Sequence, residues 1–492
     1  MSAVIKPEMN KPNIVYILAD DMGYGDVSAL NENCVFKTPA FDSICENGMA
    51  FTDAHASSSL CSPSRYSILT GRYPWRSRMK SGVLGGYSKA LIDPERLTVG
   101  KMLQNQGYKT AAIGKWHLGM DFAGSFTGQP GLANCPEVDF NGVIKNAPTT
   151  RGFDYFYGIS ASLDMPPYIY IENDRFTALP THEVSDTGKR LYRRGPTADD
   201  FVHSEVLQRL TKKSLEIIDK WAEQPFFLYF PLSAPHTPIL PSAEFLGKSK
   251  TNEYGDFVLM CDDLVSQIIR KLKEKNILEN TILIFTSDNG PAPMCDLEEL
   301  ARAGHRPNYH FRGHKADIYE GGNRIPLLLQ WPAFVPGGKL CDQTVCLSDL
   351  MATLADLLGI ELPPDSAEDS VSNLALWKNP GNDPVRSETV HQSADGSLAI
   401  RSGKWKLEMC PGSGGWSWPK PGEEPPGSPR FQLYDLSADI GEQRNVISEN
   451  PETVSLLRKR LAEIIRLGRS TPGIPVKNDD DIVWDTVKWL SD

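Results

Sequence analysis

Residues 13–18 (NIVYIL) are an unbroken apolar run of β-favouring residues, and the run stops abruptly at Ala19-Asp20-Asp21 and the turn residues Gly23 and Gly25. Residues 281–286 (TILIFT) repeat the pattern and stop at Ser287-Asp288-Asn289-Gly290. Runs of this kind read as buried strands whose carboxyl ends deliver acidic side chains. Segments 225–230 (PFFLYF) and 324–330 (RIPLLLQ) are further buried-strand candidates, and helical patterns lie at 98–106, 203–221, 254–274 and 348–358. Strands alternating with helices predict an α/β fold, with a large, mostly parallel or mixed sheet flanked by helices on both faces.

The texture changes after about residue 375. Short strand-like runs at 388–392, 397–401, 404–409 and 431–435 precede a helical segment at 451–467 (PETVSLLRKRLAEIIRL). These predict a smaller C-terminal α+β subdomain with a short antiparallel sheet and a packed helix. The expected division is 10–375 and 376–492, which suits a 492-residue chain. The Gly- and Pro-dense stretch 411–429 is expected to be a loop.

A net charge of -11 argues against nucleic acid or an anionic membrane as the main partner. No apolar run approaches the ~20 residues of a membrane span. Nine cysteines without a CxxC pair suit reduced thiols, and MSAVIKPEMNKP contains no apolar leader core. The expected location is therefore cytoplasmic, or periplasmic or secreted had a leader been removed.

Several residues carry chemistry. Cys61-Ser62-Pro63-Ser64-Arg65 is followed by Gly71. Pro63 suits a first helical turn and Gly71 a helix end, so Cys61 is expected at a helix N-terminus, a place that favours anions. Arg65, four residues on, shares its face. A lone Cys in such a place is ordinarily a packing residue. Asp20, Asp21, Asp288 and Asn289 offer hard oxygens from two strand ends, which select Ca²⁺ or Mg²⁺ over Zn²⁺; singly, such residues merely cap turns. Lys115 and His117 follow an apolar run at a spacing of two, so they point to one side. His236 lies between prolines in PLSAPHTPILP, which hold its backbone extended.

Together these segments resemble the type I, formylglycine-dependent sulfatases of the alkaline phosphatase superfamily. The resemblance runs from residue 13 to about 446. It rests on NIVYILADDMGYGD, the Cys61–Arg65 pentapeptide, GYKTAAIGKWHLG, TILIFTSDNG, RGHKADIYEGG and LYDLSADIGEQRN. It implies that Cys61 is oxidised to 3-oxoalanine (formylglycine) by a transient maturation enzyme. It also implies one metal ion per chain, Ca²⁺ with Mg²⁺ possible, held by Asp20, Asp21, Asp288, Asn289 and residue 61. A hydroxyl of the hydrated aldehyde would attack sulfur while Lys115, Lys315 and His236 neutralise the sulfuryl oxygens. His236 would protonate the leaving alcohol, His117 would help the aldehyde re-form, Arg65 would orient residue 61, and Arg312 would support the Lys315 loop.

GRYPWRSRMKSGVL resembles the arylsulfatase and N-acetylgalactosamine-sulfatase branch. The expected substrate is a small sulfated sugar cut by an exo-acting enzyme, with sulfated N-acetylgalactosamine from glycosaminoglycans as the leading case. His310, His314, His391, Trp416 and Trp418 are candidate substrate contacts. The other cysteines (34, 45, 135, 261, 295, 341, 346 and 410) are expected to pack. Two alternatives share the pattern: a phosphonate monoester hydrolase or phosphodiesterase of the same superfamily, and a non-catalytic sulfate-ester-binding protein with Cys61 unmodified.

Overall fold

The computed structural model describes residues 11–125, 137–480 and 484–491; Cys135 lies outside them. The first apolar run forms β1 (Asn13–Ala19), and all seven of its residues are buried. Its side chains alternate between two cores, as the two-residue period of a strand requires. Val15 and Ile17 enter one; Ile14, Tyr16 and Leu18 enter the other. Both faces of the sheet are therefore covered, which is why the run is apolar throughout instead of alternating.

Nine more strands complete the sheet: β2 (Met49–Phe51), β3 (Lys109–Lys115), β4 (Tyr155–Ile159), β5 (Ile171–Glu172), β6 (Arg175–Phe176), β7 (Phe226–Pro231), β8 (Thr281–Ser287), β9 (Leu327–Gln330) and β10 (Lys339–Cys341). Their order is β10-β2-β9-β8-β1-β7-β3-β4-β5-β6. The central five, β8-β1-β7-β3-β4, are parallel, and β9 runs antiparallel to both its neighbours. The expectation of a strand from residue 324 is shortened, because Pro326 has no N–H to give the ladder.

Seven helices matter for the site and its support: α1 (Pro39–Glu46), α2 (Cys61–Thr70), α3 (Val99–Asn105), α4 (Val206–Trp221), α5 (Glu253–Glu274), α6 (Leu350–Leu358) and α7 (Pro451–Leu467). In α4 the buried positions Val206, Leu210, Ile217 and Trp221 recur every three to four residues or multiples of that, the stripe of a helix docked on a sheet. Phe41, Leu210 and Leu264 put α1, α4 and α5 on one face. Leu69, Leu103 and Leu354 put α2, α3 and α6 on the other.

The C-terminal part forms a four-stranded antiparallel meander: β11 (Glu388–Gln392), β12 (Leu398–Ser402), β13 (Trp405–Glu408) and β14 (Gln432–Asp435). Leu457, Leu461 and Ile465 of α7 pack with Val390, Ile400 and Leu407 of this sheet, and Tyr73 and Trp75 join the same cluster. The main chain also crosses the seam. Gln392 N–H donates to Ser57 O at 3.0 Å, and Ser59 N–H donates to Gln392 O at 3.0 Å.

Arg76 is a second tie across the seam. It is fully buried, grips Asp369 with Nε and Nη2 at 2.7 and 2.8 Å, reaches Ile464 O of α7 at 3.2 Å, and stacks its guanidinium 4.3 Å from the Trp75 ring. Removing one partner of such a pair leaves an unmatched buried charge. Arg76→Ala should therefore destabilise the fold by about 3–5 kcal/mol, read as a lower urea midpoint. A midpoint equal to that of the unsubstituted protein would disprove the tie.

Candidate active site

The carboxyl ends of four parallel strands converge. After β1 the chain turns at Asp21, whose φ of 63° lies in the left-handed region. An L-residue holds that conformation at a cost of about 1–2 kcal/mol, least for Asp and Asn. Backbone bonds to the end of β8 hold it: Asp21 N–H to Asp288 Oδ1 at 3.3 Å, Met22 N–H to Ser287 Oγ at 2.9 Å, and Asp288 N–H to Ala19 O at 3.2 Å. Asp20, Asp21, Asp288 and Asn289 are all buried there.

Helix α2 starts at Cys61 and ends where Gly71 adopts φ 65° and donates to Ser67 O. Both follow from the local sequence. Cys61 Sγ lies 3.4 Å from Asp20 Oδ1 and 3.8 Å from Asp21 Oδ1. One turn on, Arg65 donates from Nε to Asp288 Oδ2 at 2.9 Å, approaches the same oxygen with Nη2 at 2.8 Å, and donates from Nη1 to Lys115 O at 2.8 Å.

Lys115, the last residue of β3, places Nζ 2.9 and 2.7 Å from the two Asp20 oxygens. Lys315 Nζ is 2.7 Å from Asp21 Oδ2. His236, beyond β7, has Nε2 3.5 Å from Asp21 Oδ2, while its Nδ1 donates to Thr237 O. His117 Nε2 meets Leu84 O at 2.7 Å, and its buried Nδ1 has no hydrogen-bond partner.

The electrostatics follow from this packing. Burial pushes the Asp20 carboxyl up, but Lys115, His236, Arg65 and Lys315 outweigh it and hold the group well below the usual range. Burial raises Asp288 despite Arg65, and raises the Cys61 thiol well above its ordinary value despite both lysines. Burial, with Lys115 and Arg65 nearby, drives His117 well below the usual histidine value. A neutral thiol in this position is a poor nucleophile.

The donor set fits a hard divalent cation. Ligand atoms of Asp20, Asp21, Cys61 and His236 all lie within 4.8 Å of one another. Asn289 Nδ2 donates to Asp21 Oδ1 at 2.8 Å, whereas its Oδ1 is buried without a partner, an acceptor left over for a cation. Asp288 is drawn toward Arg65, and His236 stands beside Asp21.

The remaining candidates divide. His391 is wholly buried and stacked on His55 at 4.8 Å, so it does not line an open pocket; β11, the strand expected over 388–392, carries it into the seam. His314 bonds to Lys315 O and Ser417 Oγ and ties the loop together. His310 is exposed against Tyr309. Trp416 and Trp418 are 41% and 67% exposed. Arg312 stacks 3.9 Å from the Tyr319 ring and donates to Glu442 O, a supporting role as expected. Cys45, Cys261, Cys295, Cys341, Cys346 and Cys410 are free and buried, and Cys34 is partly buried.

Asp317 was not singled out in the sequence, although it lies within RGHKADIYEGG. Its oxygens accept from His314 N–H at 2.9 Å, Trp416 N–H at 2.8 Å and Ser417 N–H at 2.9 Å. It thereby fastens the Lys315 loop to the tryptophan loop.

Residues 12–360 match the sulfatase family model. N-acetylgalactosamine-6-O-sulfatase of Bacteroides thetaiotaomicron is 35% identical over 92% of this chain and 93% of its own length. Homo sapiens arylsulfatase A is 30% identical over 93% of this chain and 87% of its own. A solved Bacteroides thetaiotaomicron structure, described with the metabolism of multiple glycosaminoglycans, superposes with a TM-score of 0.81 at 33% identity, over 93% of this chain and 99% of that one. A match that takes in β1 to α6, and so every charged residue of the cluster, together with near full-length relatives, places the chain in the sulfatase family, as a sulfuric ester hydrolase.

Proposed function

We propose that this sulfatase removes sulfate from a small sulfated sugar, with sulfated N-acetylgalactosamine from glycosaminoglycans as its substrate, after Cys61 has been matured to formylglycine. The observation that carries the chemistry is the placement of Cys61 Sγ at the start of α2, 3.4 Å from Asp20 and 3.8 Å from Asp21, the two carboxylates that the buried Lys115 and Lys315 hold. The substrate class is supported by the relative that acts on 6-O-sulfated N-acetylgalactosamine across nearly the whole length.

Asp20, Asp21, Asp288 and Asn289 would hold Ca²⁺ beside residue 61; when bound, it supplies Lewis acidity, and the hydrated aldehyde supplies the nucleophile that a neutral thiol is not. The chain's own side chains supply the rest. Lys115 and Lys315 bring two positive charges into a dry site, where they stabilise charge on sulfuryl oxygens far better than they would in water. Thr237 O can only accept, so His236 Nδ1 keeps its proton and Nε2 is the atom that exchanges one; as an imidazolium the ring gives the Nε2 proton to the leaving alcohol and returns to neutral. Leu84 O fixes His117 the other way round, leaving Nδ1 as the free base, and its lowered proton affinity keeps it neutral. Arg65 positions residue 61 by bracing Asp288 and the Lys115 carbonyl.

Three outcomes test this reading. Protein made with a maturation enzyme should yield a peptide spanning Ser57–Arg65 that reacts with a hydrazine at position 61, and Cys61→Ala should lack turnover; active protein with an intact thiol would refute it. His236→Ala should lower turnover of a sugar sulfate by about 10²–10⁴-fold and that of nitrophenyl sulfate, whose leaving group needs no proton, much less. Chelation should abolish activity and lower the melting temperature, with Ca²⁺ restoring both at lower concentration than Mg²⁺; the reverse order would reassign the ion.

A further inference from the structure

Behind the Asp20-Asp21 turn lies a second buried polar cluster, made of Asp26, Tyr254 and His305. They come from three distant places: Asp26 from the short turn after β1, Tyr254 from the first turn of α5, and His305 from the segment that precedes the Lys315 loop. Asp26 is the hub. Its Oδ1 lies 2.8 Å from His305 Nε2, and its Oδ2 accepts from the Tyr254 hydroxyl at 2.6 Å and from Gly23 N–H at 2.8 Å.

The hub reaches the main chain of Asp21. The Tyr254 hydroxyl has one proton to give, shared between Asp26 and the Asp21 carbonyl oxygen, which lies 3.2 Å away. Tyr254 is itself fixed by the helix cap, since Asn252 Oδ1 accepts its N–H at 3.0 Å. On the other side of the turn, Gly25 N–H donates to Pro307 O at 2.7 Å. The two chains are so close that a Cβ would stand 2.1 Å from Pro307 O at Gly23 and 2.2 Å from Arg306 O at Gly25. The segment from Asp21 to Asp26 is therefore clamped between α5 and the 305–307 backbone.

A buried carboxylate with polar partners is a poor means of holding a fold together, because apolar residues of the same volume do as well or better. What it adds is direction. Asp21 needs direction: its φ is 63°, and its carboxylate has to meet a Ca²⁺ ion at about 2.3–2.6 Å. A drift of more than about 0.5 Å in the turn would misplace that ligand.

We infer that Tyr254 and Asp26 are positioning residues for the cation: through the Asp21 main chain they hold the Asp21 carboxylate where the ion binds. The inference rests on the Ca²⁺ reading of the site given above. Tyr254 and Asp26 act through Asp21 and not by ligation, so their loss weakens the hold on the ion and leaves the sulfuryl-transfer groups in place.

The test is Ca²⁺ binding to the metal-freed enzyme by calorimetry, with kcat and KM on 4-nitrophenyl sulfate followed against Ca²⁺ concentration. Tyr254→Phe keeps the ring in the core and removes only the hydroxyl, and its Kd for Ca²⁺ should rise about 10-fold. Asp26→Asn, which disturbs every bond of the hub, should raise Kd by up to about 100-fold. Both variants should need correspondingly more Ca²⁺ for activity. At saturating Ca²⁺ both should return to the unsubstituted kcat with KM unchanged, a recovery that a general loss of structure would not allow. A Kd unchanged in both variants, or a loss of kcat that saturating Ca²⁺ leaves in place, would overturn the inference. An unsubstituted enzyme that binds no divalent cation and turns over in the presence of a chelator would overturn the metal reading itself, a result visible before any variant is made.

Discussion

Asp20, Asp21 and Asp288 are buried at one end of the sheet, and their mutual repulsion governs how the surrounding elements meet. Two like charges 4 Å apart cost about 4 kcal/mol at an effective dielectric of 20. The fold answers with Lys115 from β3, Arg65 from α2 and Lys315 from the 312–322 loop, each paired with a different aspartate. Three elements distant in sequence are thereby held at one point. The balance also suits a sulfatase: an arriving sulfate ester finds charges already desolvated and fixed, so little reorganisation is needed.

The supports around this cluster are main-chain and buried. The turn at Asp21 is braced by the end of β8, so its left-handed conformation persists. Ser57 and Ser59, just before Cys61, pair with Gln392 of β11, so the small sheet helps hold the segment that presents Cys61. Asp317 performs a similar task for Lys315, fastening its loop to the backbone at Trp416 and Ser417. The C-terminal sheet is thus coupled mechanically to the reacting centre, although none of the six residues assigned to catalysis lies in it. His391 shows the same coupling: stacked on His55 in the closed seam, it joins the two parts without reaching solvent.

Much of the parallel core was legible because its signals are local. An unbroken apolar run followed by acidic turn residues means a covered strand ending at a functional edge, and β1 and β8 follow that rule. Pro63 and Gly71 bracket α2 as their backbone preferences dictate. The short strands β2 and β10 were not seen, since three residues carry too little periodicity to mark a strand. Asp317 and Asp26 passed unremarked because an isolated aspartate in a loop or turn has no distinguishing pattern; only its partners give it meaning.

By itself, then, the chain's sequence determined which segments become strands and helices, which residue types stand at their ends, and, through motifs that include Cys61, Arg65, Lys115, His117, His236 and Lys315, membership of the sulfatase family. Those are short-range properties, set by backbone preference and spacing. Only the tertiary structure decided which carboxylate faces which cation, that Asp288 leans to Arg65, that His391 is sealed in a seam, and that Asp26 gathers Tyr254 and His305 behind Asp21. Pairing and burial depend on contacts between residues hundreds of positions apart, such as Lys315 with Asp21, and no local pattern encodes the distance between them.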